Sequence, residues 1–180
     1  MTGRFIAVVG PSGVGKDSVM RAMAAAEPRI LLARRVITRP SDAGGEDFDG
    51  VNDARFAEMM AQDAFALHWS AHGLQYGIPA AVDADLATGR DVLANLSRRR
   101  LGTAQARYED FSVISLTASL PVLAQRLATR GREDAAEVQR RLAQADFAVS
   151  QEFNPLKIVN DGPLQTAVDA ALAALYPAKA

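Results

Sequence analysis

The sequence predicts an α/β protein, a parallel sheet covered by helices on both faces. Two observations carry this. Short apolar runs rich in β-branched residues alternate along the chain with segments whose apolar residues recur at helical spacing. The first of these runs also ends in a glycine-rich loop that opens directly into the first helical segment, as parallel βα units do. A chain of 180 residues, 49% hydrophobic and 23% charged, fits one compact domain with a core. Right-handed crossovers then bring the C-terminal ends of the strands to one edge, where ligands usually bind.

The elements follow in order. Residues 5–9 read as a buried strand stopped by Gly10, and residues 16–26 as a helix with Val19, Met20, Met23 and Ala26 on one side. Residues 30–37 read as one strand. Residues 38–50 hold a proline, three glycines and four acidic residues, the composition of a loop. A helix over 53–62 and a strand over 65–71 come next, then a turn bracketed by Gly73 and Gly77 and a short helix over 80–88. Residues 91–96 form a buried strand, 98–108 a helix and 112–116 a strand. Ser119 is an N-cap, with Pro121 in the first turn, for a helix to Thr129 that Gly131 breaks. A long helix over 134–150, a strand over 156–159 and a helix over 165–175 complete the chain.

Composition narrows the partners. Net charge is −1, so no bulk positive field points to nucleic acid. Lys16, Lys157 and Lys179 are the lysines and every other basic residue is arginine. That skew suits phosphate oxygens, which the planar guanidinium fork grips, and genome composition accounts for it equally well. The absence of cysteine excludes disulfides and thiolate metal sites and fits a reducing cytoplasm. The first strand is too short to span a membrane, and the N-terminus lacks a signal-peptide layout. The expectation is a cytoplasmic protein with no nucleic-acid or membrane partner, compatible with a homodimer.

The sharpest motif is Gly10-Pro11-Ser12-Gly13-Val14-Gly15-Lys16-Asp17-Ser18 between the first strand and first helix. This is the setting of a nucleotide-phosphate loop. Its glycines permit torsions other residues resist, successive N–H groups turn inward as an anion nest, and the helix N-terminus adds donors and a positive dipole end. Lys16 would reach the β- and γ-phosphates of ATP. A hydroxyl residue usually follows the lysine to ligate Mg²⁺, and here Asp17 stands in that place. Ser18 is turned about 100° away on the helix. Asp17 can bind Mg²⁺ directly or through water, or it can complement the helix dipole.

Downstream, Arg126, Arg130 and Arg132 surround Gly131, and Arg140 and Arg141 follow on the next helix. Positioned arginines stabilise the charge that spreads over a migrating phosphoryl group, and a flap carrying them excludes water. The bland account is a solvated helix pair with Glu133, Asp134 and Glu137 as partners. Arg98, Arg99 and Arg100 read equally as a phosphate-facing patch or a solvated face.

The chain resembles the guanylate-kinase-like branch of nucleoside monophosphate kinases. The resemblance runs through the glycine-rich loop, Thr38-Arg39-Pro40 with Gly45-Glu46, Tyr76-Gly77, Arg130-Gly131, Arg141-Leu142 and Asn160-Asp161. It implies a five-stranded parallel core (residues 1–38, 81–126 and 142–180), an acceptor-binding insertion over 39–80 and a helical lid over 127–141. It also implies that Arg39 grips the acceptor phosphate with Tyr76 nearby. Arg130, Arg132 and Arg141 would serve the transferred group, and Asn160 would lie near the adenine.

The departures bear on the acceptor. Ser41-Asp42 stand where guanylate kinases carry a second phosphate-binding arginine, and Asp47-Phe48 stand where they carry an Asp-Tyr pair. His68-Trp69-Ser70 replace the Glu-Trp-Ala that reads guanine, and Ile78 replaces its Ser or Thr partner. Buried groups that lose their partners reject a substrate, so GMP is disfavoured.

The chain is more closely similar to the ribose 1,5-bisphosphate phosphokinases of bacterial phosphonate degradation. Gly15-Lys16-Asp17-Ser18 carry that likeness, with Val36 to Arg39, Ala43-Gly44 with Glu46, Ala66-Leu67 with Trp69, His72 to Gly77, Val92 to Arg98 and Asn160 to Gly162. It implies ATP-dependent phosphorylation of a phosphorylated sugar to 5-phosphoribosyl 1-diphosphate. His68 and His72 would bond sugar hydroxyls or the 5-phosphate, or else be solvated histidines. Trp69 reads as core. Asn95 would orient Mg²⁺-bound water or merely end its strand. The competing readings are a GMP-type kinase, a non-catalytic binding module and an ATPase without acceptor.

Overall fold

The computed structural model describes residues 2–41, 46–130 and 148–177. Its elements, numbered over these residues, are strands β1 (Phe5–Val9), β2 (Ile30–Leu32), β3 (Arg35–Ile37), β4 (Phe48–Gly50), β5 (Phe65–Ala71), β6 (Leu74–Pro79), β7 (Asp91–Asn95), β8 (Phe111–Thr117) and β9 (Leu156–Val159). The helices are α1 (Lys16–Ala26), α2 (Asp53–Ala61), α3 (Ala81–Ala87), α4 (Leu101–Arg107), α5 (Leu120–Arg130) and α6 (Leu164–Leu175). Five strands form one sheet in the order β2-β7-β1-β8-β9, and four form a second in the order β4-β3-β6-β5. Pairs β2–β7 and β8–β9 are parallel. Every residue of β1 is buried, as expected for a strand with both faces covered.

Backbone contacts group the chain into two units, one of Met1–Ala7 and Pro28–Phe111 and one of Val8–Glu27 and Ser112–Ala180. In the first, Asp91 opens β7 and is almost fully buried. It is satisfied by the Arg4 amide at 2.8 Å and the Arg4 guanidinium at 3.2 Å, which ties the two chain segments together. Helix α3 packs on β7 and β5. In the second unit α1 packs against α6, and α6 against β9. Buried Val19, Met20 and Met23 of α1 and Ala167, Val168 and Ala171 of α6 recur at helical spacing.

The structure corrects several local readings. Residues 30–37 are two strands rather than one: β2 joins β7 in the larger sheet, and β3 joins β4 and β6 in the smaller. The expected turn between Gly73 and Gly77 is mostly strand β6. The real reversal is at His72-Gly73, both with positive φ (51° and 73°), the torsions a two-residue hairpin requires. The loop over 38–50 ends in β4, and a 3₁₀ turn at Arg98–Arg100 precedes α4. Of the helix expected over 134–150, residues up to 147 lie outside the described residues, and 148–150 are not helical. No helix among the described residues is long and apolar enough to cross a membrane.

One half-buried phenol ties stability to pH. The Tyr108 ring stacks on Phe5 at 4.3 Å. Its hydroxyl donates to Asp83 Oδ1 at 2.9 Å and accepts from Arg107 Nε at 3.3 Å. Burial pushes the phenol up to about 12; the Arg107 bond opposes that shift and the Asp83 bond adds to it. The folded chain therefore holds this proton more tightly than the unfolded chain, whose tyrosines titrate near 10. The contribution to stability is whole below pH 10 and is lost as pH rises to 12. Denaturant titrations across that window should show a shallower decline for Tyr108→Phe than for the parent. An equal decline in the two would remove Tyr108 from the account.

Candidate active site

The phosphate loop is built within the second unit. β1 delivers the chain to Gly10, and α1 begins at Lys16. Gly13 and Gly15 hold φ at 83° and 91°, a region that penalises any side chain. The first helical hydrogen bond is Val19 N–H to Gly15 O, 3.0 Å. No side chain caps the helix, so the N–H groups ahead of Val19 have no intrahelical acceptor. Such an end attracts anions.

Two side chains set the loop's orientation. Asn160 Nδ2 donates to the Val14 carbonyl at 2.8 Å, and Arg126 Nη1 donates to the same oxygen at 3.3 Å. The C=O and the following N–H of a trans peptide point in opposite directions, and no peptide here is cis. With the carbonyl drawn to Asn160 and Arg126, the Gly15 N–H faces away from them. Lys16 Nζ bridges the carbonyls of Gly10 (2.8 Å) and Pro11 (3.1 Å), which parks the ammonium across the loop.

Asn160 follows β9, and its amide continues the ladder to Thr117 O at 2.8 Å. Next to it, Asp161 Oδ1 accepts from the Ser119 N–H at 2.7 Å at the entrance to α5. Asn160 is 4% exposed, and its Oδ1 accepts no hydrogen bond among the described residues. Gly13, Gly15, Ser18, Arg126, Asn160 and Asp161 line a cleft of 580 Å³, large enough for a nucleotide-sized group. Pro11 and Ser12 complete the loop. Asp17 stands half-buried in the first turn of α1, with no hydrogen bond or ion pair among the described residues. Arg132 and Arg141 lie outside the described residues, as does the side chain of Arg130, the last residue of α5. Arg126, which reads from the sequence as part of an arginine flap, here braces the loop.

The residues expected to meet the acceptor lie in the first unit, on or beside the smaller sheet. Register pairs Ile37 with Tyr76 and Tyr76 with Trp69. Alternation puts Arg35 on that same face. His68 pairs with Gly77 and faces the other way, exposed beside Phe65. His72 is at the exposed hairpin tip. The sheet thus places Tyr76 apart from His68, while Arg39, just past β3, lays its guanidinium 4.3 Å from the Phe48 ring centre. Phe48 is 2% exposed and Ile78 is fully buried, so neither position presents a polar group. Tyr76 stacks on Trp69 at 5.4 Å, with 7° between the planes, and Trp69 is core as expected. Of the arginine run, Arg98 is half-buried and its pKa is lowered by that burial, while Arg99 is exposed.

Sequence reasoning missed Arg35 and underread Glu46. Arg35 is 8% exposed. Its Nε bonds Glu46 Oε2 at 2.8 Å, its Nη2 bonds Glu46 Oε1, and its Nη1 bonds the Asn95 carbonyl at 3.2 Å. The available signal was an arginine two residues from Ile37, hence on the same strand face as a core residue.

Comparison with known proteins shows the family and the fold. The sequence matches the family model described as guanylate kinase over residues 2–175. It is 51% identical over 179 residues to ribose 1,5-bisphosphate phosphokinase PhnN of Ruegeria sp. (strain TM1040), covering 99% of this chain and 94% of that one. It is 46% identical to the protein of the same name from Pseudomonas paraeruginosa (strain DSM 24068 / PA7), covering 96% and 95% of the two chains. The crystal structure of guanylate kinase from Anaplasma phagocytophilum superposes with a TM-score of 0.69 at 16% identity, covering 99% of this chain and 88% of that one. At that identity the likeness concerns the fold alone.

Proposed function

The chain belongs to the guanylate kinase family, and on that premise we propose that it phosphorylates ribose 1,5-bisphosphate at the expense of ATP. The products are 5-phosphoribosyl 1-diphosphate and ADP. The observation that carries the acceptor is near-full-length similarity to proteins of that name. The apolar Phe48 and Ile78, where a guanine-reading enzyme carries polar groups, support it.

An oxygen of the C1 phosphate attacks the γ-phosphorus, the bond from that phosphorus to the β-bridging oxygen breaks, and ADP leaves with the electron pair. The attacking oxygen is already anionic, so no side chain need accept a proton. Positioning and charge compensation carry the step. The helix-end N–H groups and Lys16 hold the β- and γ-phosphates. Arg39, steadied on Phe48, receives an acceptor phosphate with Tyr76. Arg130, Arg132 and Arg141 serve the migrating group, and the 580 Å³ cleft beside Asn160 takes the rest of the nucleotide.

No cluster of three His, Asp or Glu side chains gathers among the described residues. Mg²⁺ needs only one or two carboxylates when phosphates complete its shell, and the half-buried Asp17 carboxylate at the start of α1 fits that need. Bound there, the ion would neutralise charge between the phosphates.

The test is ADP release with ribose 1,5-bisphosphate, with GMP and with no acceptor. Turnover with the sugar should exceed that with GMP by about 10²-fold or more. A preference for GMP would make this a nucleotide kinase. Equal ADP release without any acceptor would make it an ATPase, and failure to bind Mg-ATP a binding module.

A further inference from the structure

We infer that Arg35 is a positioning residue for the acceptor, acting through Tyr76 and Arg39; this rests on the acceptor reading above. A guanidinium on a core-facing position loses its hydration and is tolerated only when its donors are engaged. Arg35 meets that condition with one planar group. Two of its nitrogens, Nε and Nη2, donate to the Glu46 carboxylate and the third, Nη1, donates to the Asn95 carbonyl at the end of β7. Its centre lies 5.2 Å from the Tyr76 ring centre and 5.9 Å from that of Trp69.

The consequence runs to both acceptor groups. Arg35 is the register partner of Phe48, the ring on which Arg39 rests. Glu46 is two residues before Phe48, so the Arg35–Glu46 pair fastens the start of β4 to β3 and sets that ring. On the other side the same guanidinium sets the angle of the Tyr76 ring. No hydrogen bond to the Tyr76 hydroxyl forms among the described residues, so packing alone orients it. Apolar residues would fill this space without desolvating two charges. What the ion pair adds is direction, because a fork with three fixed bond vectors allows one arrangement of its neighbours. Lysine has the charge but not the fork.

The experiment uses Arg35→Lys and the double replacement Arg35→Met with Glu46→Leu. It measures KM for ribose 1,5-bisphosphate, KM for ATP, melting temperature and tryptophan emission, for which Trp69 is the one reporter in the chain. Arg35→Lys should raise the acceptor KM at least about 10-fold and lower kcat/KM by about 10²-fold, with the ATP KM within about two-fold. Its Trp69 emission should shift. The double variant should regain the parent's melting temperature, since no charge is left unpaired, yet keep the raised acceptor KM. If the double variant regains the parent's acceptor KM as well, Arg35 only stabilises the fold and the inference is wrong. The same holds if Arg35→Lys leaves the acceptor KM unchanged in an active, folded protein. A parent chain inert toward ribose 1,5-bisphosphate would instead overturn the acceptor reading and this inference with it.

Discussion

Replacing Lys16 with alanine should lower phosphoryl transfer by about 10³-fold, the magnitude associated with removing one charge aimed at the reacting phosphates. The ammonium bridges the carbonyls of Gly10 and Pro11 at 2.8 and 3.1 Å, so it is already held at the phosphate nest. Phosphate oxygens are anionic and win it from neutral carbonyls. As charge moves from the γ-phosphorus to the leaving oxygen, a cation on a flexible stem can follow it. Alanine removes that charge with its two bonds to the loop carbonyls, and leaves the Asn160 and Arg126 bonds to Val14 in place. The melting temperature should therefore change by no more than a few degrees while turnover collapses. Steady-state ADP release, read beside a thermal melt, separates the two. Turnover within tenfold of the parent would show that Lys16 does not face the reacting phosphates.

Gly15→Ala should do comparable damage by geometry instead of charge. The residue sits at φ 91°, where a Cβ costs about 1–2 kcal/mol. An added Cβ would also stand 2.8 Å from Asn160 Nδ2, the atom that holds the Val14 carbonyl. Asn160 must move, and a hydrogen bond of about 1 kcal/mol goes with it. The peptide that aims the Gly15 N–H is then free to rotate. The expected loss of stability is about 2–3 kcal/mol, or about 4–12 °C in melting temperature for a chain of this size, with ATP binding at least about tenfold weaker. Gly102→Ala is the matched control. That glycine lies in α4 with nothing within 4 Å of its added Cβ, so alanine should stabilise by about 0.5–1 kcal/mol. Should Gly15→Ala melt like the parent and bind ATP normally, the loop tolerates more than its torsions imply.

The phosphate loop was legible because it is local. Its glycines, lysine and flanking periodicities are contiguous, and strand, nest and helix follow from nearest-neighbour torsions. Asn160 was found in the sequence by resemblance, as a nucleotide neighbour. That it also braces Val14 was not visible, because the two residues are 146 positions apart. The smaller sheet was less legible. Arg34 and Arg35 are adjacent and chemically identical, yet one side chain is 52% exposed and pairs with Asp47 and Asp49, while the other is 9% exposed and pairs with Glu46. The same holds for His68 and Trp69, which fall on opposite faces of β5.

By itself, then, the chain of residues determined the alternation of strands and helices, the glycine-rich turn after β1 and the kinase family, since each rests on short-range torsional preference or on contiguous motif. Tertiary structure alone decided where residues 30–37 break between two sheets, which arginine is buried and which faces of the β5–β6 hairpin carry Tyr76 and His68. Those outcomes depend on partners that are not neighbours in sequence, such as Glu46 and the Asn95 carbonyl for Arg35, 11 and 60 residues away. A strand's period of two says only that neighbours face opposite ways, and pairing with distant strands decides which way is inward.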